Sequence, residues 1–193
     1  VKKASTILAK GGLVCFPTET VYGVGVSIKK KDYFDKLVNL KKRSPDKPFA
    51  LMGASIDAIS DYIDVDDRTY RVMKKFLPGE VTFLVHSKEG IDEFIDLGTG
   101  VIGIRVPDSK FVHDLLKPVG PCLVTSANIS GHKTSTTFED TKKAFDKEVN
   151  AIVKGECLSL IPTTIVDLTK KEPKLVRQGA LDFEKIKKAW EEQ

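Results

Sequence analysis

Five short polar clusters stand where apolar runs of this 193-residue chain stop or start. The run Leu13 to Phe16 gives way to Pro17-Thr18-Glu19-Thr20, Val101 to Ile104 ends in Arg105, and Cys122 to Val124 ends in Thr125-Ser126-Ala127-Asn128. Leu175-Val176 runs into Arg177-Gln178-Gly179, and Pro162-Thr163-Thr164 opens a further apolar run. Inside a core each of these hydroxyls, amides and guanidinium groups would cost free energy unless paired. At strand ends they are positioned to grip a small polar ligand, the place where open α/β sheets bind ligands. A turn capped by hydroxyls accounts for any one cluster; five together point to a site.

A basic segment follows the same logic. Lys41-Lys42-Arg43-Ser44-Pro45-Asp46-Lys47-Pro48 closes a helical stretch, where cations interact well with the helix dipole. The two prolines also stiffen it, which suits a lysine and an arginine to a polyphosphate. Residues 1–50 hold 11 Lys and Arg against 4 Asp and Glu, so the net charge of +4 conceals a basic first quarter. Lys29, Lys30 and Lys31 read as a solvated face. Lys41→Ala or Arg43→Ala is expected to abolish activity with little loss of stability, as for exposed cations generally.

Other patterns carry no chemistry. Gly98 to Gly103 matches GxGxxG but runs into a strand rather than a helix, so it is a turn. Asn128-Ile129-Ser130 is a formal glycosylation sequon, and no Walker loop is present. Cys15, Cys122 and Cys157, widely spaced among apolar residues, read as reduced core thiols. His86, His113 and His132 lack metal-ligand spacing. With 41% hydrophobic and 30% charged residues, no apolar run near the ~20 of a membrane helix and no leader-like start, the expectation is a cytoplasmic protein with no membrane association.

Periodicity alternates between strand and helix without repeat or linker, which predicts one α/β domain over 1–193. Strands are expected at 13–16, 81–86, 101–106, 122–126, 151–153, 164–168 and 175–177, and helices at 3–10, 31–41, 55–62, 67–76, 109–116, 137–146 and 182–191. Ser109, Thr137 and Asp182 are the expected N-caps. A twisted, mixed sheet with helices against it follows.

FPTETVYGVG, KKRSPDKPF, PGEVTFLV, GIRVP, TSANISG, PTTIVDL and LVRQG occur in the order found in the YrdC/Sua5/TsaC family of threonylcarbamoyl-AMP synthases, which the chain resembles from about residue 5 to 185. It looks like the short, single-domain TsaC type; Phe49 to Met52 and PTTIVDL are also similar to the YciO branch. The resemblance implies a largely antiparallel, YrdC-like twisted sheet around a concave basic cavity. It implies that L-threonine, bicarbonate and ATP, with Mg²⁺, give threonylcarbamoyl-adenylate, pyrophosphate and water. Separate transferase proteins would then deliver the group to t6A at position 37 of tRNAs reading ANN codons.

Residue by residue, the resemblance assigns L-threonine to Thr18, Arg105, Ser126 and Thr163, and ATP to Lys41, Arg43, Asn128, Thr136 and Arg177. Lys41, Arg43, Ser126 and Asn128 form its catalytic set. Met52 stands where Sua5-type members carry a histidine contacting threonine. The reaction needs no protein nucleophile, because a carbamate oxygen attacks the α-phosphate and the protein positions and neutralises. The competing reading is a non-catalytic protein gripping tRNA or double-stranded RNA through the same cations, which leaves the PTET, TSAN and PTT hydroxyls without a task.

Overall fold

A computed structural model of the chain describes all residues except 43, 45–48, 130 and 193. The first hairpin sets the pattern. β1 (Val14–Pro17) pairs antiparallel with β2 (Tyr22–Ser27), Val14 opposite Gly25 and Pro17 opposite Tyr22. Pro17 ends β1, and the turn closes through Thr18, whose N–H and Oγ1 both donate to the Val21 carbonyl, at 3.2 and 2.7 Å. The remaining strands are β3 (Ala50–Met52), β4 (Val81–His86), β5 (Val101–Arg105), β6 (Cys122–Ser126), β7 (Ala151–Ile152), β8 (Thr164–Asp167) and β9 (Lys174–Arg177). They form one sheet in the order β7-β1-β2-β6-β3-β5-β4-β8-β9, with most neighbours antiparallel.

Strand alternation sorts this sheet into two unlike faces. Cys15, Val24, Leu51, Leu123, Phe83, Ile104 and Val166 point to one of them. There they meet apolar residues of α2 (Lys31–Lys41), α3 (Ile56–Ile59), α4 (Asp67–Phe76), α7 (Phe138–Phe145) and α8 (Phe183–Glu191). The other face is covered over part of its width only. Val14, Phe16, Met52, Cys122 and Val124 pack under α1 (Lys2–Ala9) and α6 (Lys110–Leu116), through Leu8, Val112 and Leu115. Beyond that short cover the same face turns small and polar, with Gly23, Ala50, Thr82, Arg105, Ser126, Thr163 and Arg177, and it is open.

Helix ends follow local chemistry. Ser109 Oγ, Thr137 Oγ1 and Asp182 Oδ1 accept from the N–H groups of Val112, Asp140 and Glu184, as the sequence predicts. The expected helix 55–62 divides into α3 and a 3₁₀ turn at Ser60–Tyr62. Three elements go beyond the sequence expectation: β2, β3 and a four-residue helix α5 (Glu93–Asp96). The GxGxxG match is indeed a turn into β5, with Gly98 and Gly100 at φ +70° and +73°.

One expectation is corrected. The polar clusters do not gather at a common carboxyl edge, because β1 and β6 run opposite to β5 and β9. They meet instead on the uncovered face, where alternation brings together side chains from both strand directions.

Candidate active site

The open face holds a cleft of about 250 Å³. Pockets enclosing a drug-sized ligand measure roughly 300–1,000 Å³, so this cleft encloses a smaller group and leaves any larger one partly outside it. Ala50, Gly23 and Val124 contribute its small-residue floor, and two arginines reach into it from different strands.

Arg105, at the end of β5, is 8% exposed. Its Nη2 donates to Thr20 Oγ1 at 2.7 Å, Thr18 Oγ1 at 3.2 Å and Glu19 Oε1 at 3.3 Å, so the whole PTET turn wraps one guanidinium. Arg105 Nε and Glu19 Oε2 are buried without a hydrogen-bond partner. Burial raises the Glu19 carboxyl above its ordinary value, with Arg105 pulling the other way. Burial likewise lowers Arg105, opposed by Glu19. A buried pair with an orphan atom on each partner is under-satisfied, and Arg105 lines the cleft, so its positive charge stands beside whatever binds there.

Arg177, at the end of β9, rests on the PTT segment. Nε and Nη2 donate to the Thr163 carbonyl at 3.1 and 2.8 Å, and Thr163 Oγ1 lies 2.9 Å from Thr82 Oγ1. This close approach requires Gly179, where an added Cβ would stand 2.2 Å from the Pro162 carbonyl oxygen. Burial lowers the Arg177 pKa, and so does the charge of Arg105. Two like charges that sense one another across a cleft favour an anion between them.

Lys41 is a correction to the sequence reading. It is 2% exposed, not a solvated cation, and its Nζ donates to Ser126 O at 2.7 Å, to Asn128 Oδ1 at 2.9 Å and to Asn128 O. Ser126 Oγ in turn donates to Asn128 Oδ1 at 2.8 Å, and Asn128 Nδ2 holds the carbonyls of Ile129 and His132. The KxR lysine and the SAN motif are therefore one hydrogen-bonded unit. Thr136 adjoins it, since Ser135 donates its N–H to the Ala127 carbonyl and accepts from Tyr22 N. Arg43 lies outside the described residues.

Of the sequence-named residues, Arg105, Ser126, Thr163 and Arg177 line the cleft. Thr18 backs it. Its hydroxyl is spent on Val21 O, Thr20 and Arg105, whereas Thr20 lines the cleft itself. Sequence reasoning placed Glu19 and Thr20 in the ligand-gripping PTET cluster without an individual role, and assigned none to Thr82 or Tyr22. The Tyr22 hydroxyl bonds Val153 O and Gly155 O at 2.9 and 3.0 Å, and the Leu158 and Ser159 N–H groups donate to Glu19 O, so segment 153–160 braces PTET from behind. Among the described residues no group of three or more His, Cys, Asp or Glu is arranged to hold a metal. The three thiols are free, and burial pushes Cys15 and Cys122 up to about 12. No helix among the described residues is long and apolar enough to cross a membrane.

A mostly antiparallel, half-covered sheet with two arginines and a row of hydroxyls on its open face defines the class, an α/β protein with a polar, cationic cleft. The chain belongs to the Sua5/YciO/YrdC family, whose model, described as telomere recombination, matches residues 6–179. The YciO protein of Escherichia coli, itself uncharacterized, is 32% identical over 185 residues, 94% of this chain and 90% of YciO. Its crystal structure aligns with a TM-score of 0.86. A putative threonylcarbamoyl-AMP synthase of Methanocaldococcus jannaschii is 29% identical over 93% of this chain and 85% of that protein. The crystal structure of Pyrococcus abyssi Sua5 complexed with L-threonine aligns at a TM-score of 0.92 with 28% identity, covering 97% of this chain. This chain spans 56% of that one.

Proposed function

We propose that the chain is a threonylcarbamoyl-AMP synthase, an enzyme joining L-threonine, bicarbonate and ATP. The observation that carries this is Arg105, a buried guanidinium lining a cleft edged by Thr20, Thr82 and Thr163, together with a 0.92 match to a Sua5 that holds L-threonine. Arg105 clamps the amino-acid carboxylate through a charge-assisted hydrogen bond. Thr20 and Thr163 offer partners to the substrate hydroxyl, and a site built around that hydroxyl rejects analogues lacking it.

The amine attacks the carbon of bicarbonate and water leaves, giving a carbamate. A carbamate oxygen then attacks the α-phosphate, the bond to the β-phosphate breaks, and pyrophosphate departs. Arg177 neutralises the charge that develops, and Asn128, its amide engaged by Lys41, Ser126 and two carbonyls, fixes the SAN segment so that Ser126 faces the nucleotide. Cleft hydroxyls and guanidiniums make a poor resident metal site, so Mg²⁺ would be held by the triphosphate it accompanies and would supply polarisation of the phosphates there. The product then serves t6A formation on tRNA through separate transferases. An RNA grip gives no reason for Thr20, Thr82 and Thr163 to line the cleft with hydroxyls.

The test is to incubate the protein with ATP, Mg²⁺, bicarbonate and L-threonine and seek the adenylate by mass spectrometry, omitting each substrate in turn. Product that depends on all three substrates is expected. Binding of ATP and threonine without product would reject the synthase reading.

A further inference from the structure

The exposed large apolar side chains of the described residues, Val1 apart, are confined to two segments: Leu158, Leu160 and Ile161 on one, Leu175 and Val176 on the other. The segments adjoin. Ala180 donates its N–H to the Pro162 carbonyl at 3.1 Å, and Arg177 holds the Thr163 carbonyl. Both border the cleft, which Pro162, Thr163 and Arg177 line. Leu160 sits at φ +59°, a conformation costing roughly 1–2 kcal/mol for a residue with a Cβ. Apolar surface gathered at the rim of a cleft marks an interaction site.

β9 is the last strand of the sheet, exposed along its whole length, with one edge unpaired. Val176 has no opposite residue, since Leu175 pairs with Val166 and Arg177 with Ile165 across a register shift. The β8–β9 hairpin carries Lys170, Lys171, Lys174 and Arg177 against Asp167 and Glu172, with Asp167 opposite Lys174, and so stays net positive. The charge selects the occupant. Edge-to-edge pairing of two copies would set Lys174 and Arg177 of one against those of the other, and like charges across a strand pair are destabilising. An extended segment that alternates acidic and apolar residues meets both the cations and Leu175 and Val176.

We propose that β9 and the 158–161 segment form a docking surface for an extended acidic strand of a partner protein, which adds to the sheet at β9 and covers the cleft mouth. The recognition is β-augmentation, with main-chain hydrogen bonds supplying affinity and the lysines direction. It does not depend on which reaction the cleft performs.

The test uses a labelled decapeptide alternating glutamate with valine and threonine, and its lysine counterpart. Binding is followed by fluorescence polarisation and by amide exchange on the protein. Protection confined to the amides of 174–177, with at least tenfold preference for the acidic peptide, is expected. Lys174→Glu should remove that preference. Val176→Pro lacks the amide hydrogen at a bulged edge position where proline is tolerated, and should weaken binding about tenfold; circular dichroism checks that both variants fold. Equal binding of the two peptides, protection elsewhere, or concentration-dependent self-association that protects β9 would each overturn the proposal.

Discussion

Replacing Lys41 by methionine keeps the side-chain length and apolar stem and removes the ammonium. Three hydrogen bonds are then lost, to Ser126 O, Asn128 O and Asn128 Oδ1, while Asn128 N–H still donates to Ser126 O and Ser126 Oγ to Asn128 Oδ1. At about 1.5–3 kcal/mol per hydrogen bond to a charged group, three would sum to roughly 4.5–9 kcal/mol. Two effects reduce this. Desolvating the ammonium costs several kcal/mol, and Ser126 and Asn128 are half-buried, so water replaces part of the loss. A net cost of about 3 kcal/mol remains, which for a domain of this size is a fall of ~6–12 °C in Tm. Thermal unfolding of the ligand-free protein measures it. In an Asn128→Ala background the same substitution should cost at least about 1 kcal/mol less, the coupling expected of groups in one network. A Tm fall below ~2 °C would refute the strut and return Lys41 to the role of a free phosphate ligand.

The position of Lys41 was legible in principle. Phe34, Leu37 and Lys41 follow one another at three and four residues along α2, so the lysine continues the buried stripe of its helix. Charge alone makes it look like surface. β2 escaped for another reason: Tyr22, Val24 and Val26 keep a period of two, but the glycines between them, Gly23 and Gly25, are depleted in strands and weaken the signal. An added Cβ at either glycine would meet Val124, at 3.0 and 2.9 Å, so the signal was weakened where the sheet face has to be thin. β3, three residues long, is too short for any period to register.

Among the site residues, Arg105, Ser126, Thr163 and Arg177 were readable because strand-end position and chemical type coincide. That Thr20 lines the cleft while Thr18 closes a turn depends on backbone direction after Pro17. Composition cannot encode that. Thr82 was hidden inside an apolar strand, and only its 2.9 Å approach to Thr163 gives it a task.

Four further outcomes follow from the same geometry. Thr82→Val removes the hydroxyl beside Thr163 and should lower stability by about 1 kcal/mol while raising the KM for the amino acid, read from unfolding and steady-state kinetics. Gly103→Ala should leave Tm within a few degrees, since the new Cβ would meet Leu84 and Thr82 at 3.4 and 3.5 Å, an ordinary contact, yet weaken ligand binding in calorimetry by thickening the sheet beside Ala50. Glu19→Gln tests the buried pair through pH. Burial holds the Glu19 carboxyl above its ordinary 4.5, so the folded state binds the proton more tightly than the unfolded chain does. Its contribution is then most favourable below pH 4.5 and is lost as pH rises through the elevated folded value. The wild-type protein should therefore lose stability relative to Glu19→Gln across that window. Arg105→Gln leaves Glu19 buried and uncompensated, at a cost of about 3–5 kcal/mol. Combining it with Glu19→Gln should recover most of the stability and none of the carboxylate binding. A double variant that still binds L-threonine would remove Arg105 from the amino-acid site.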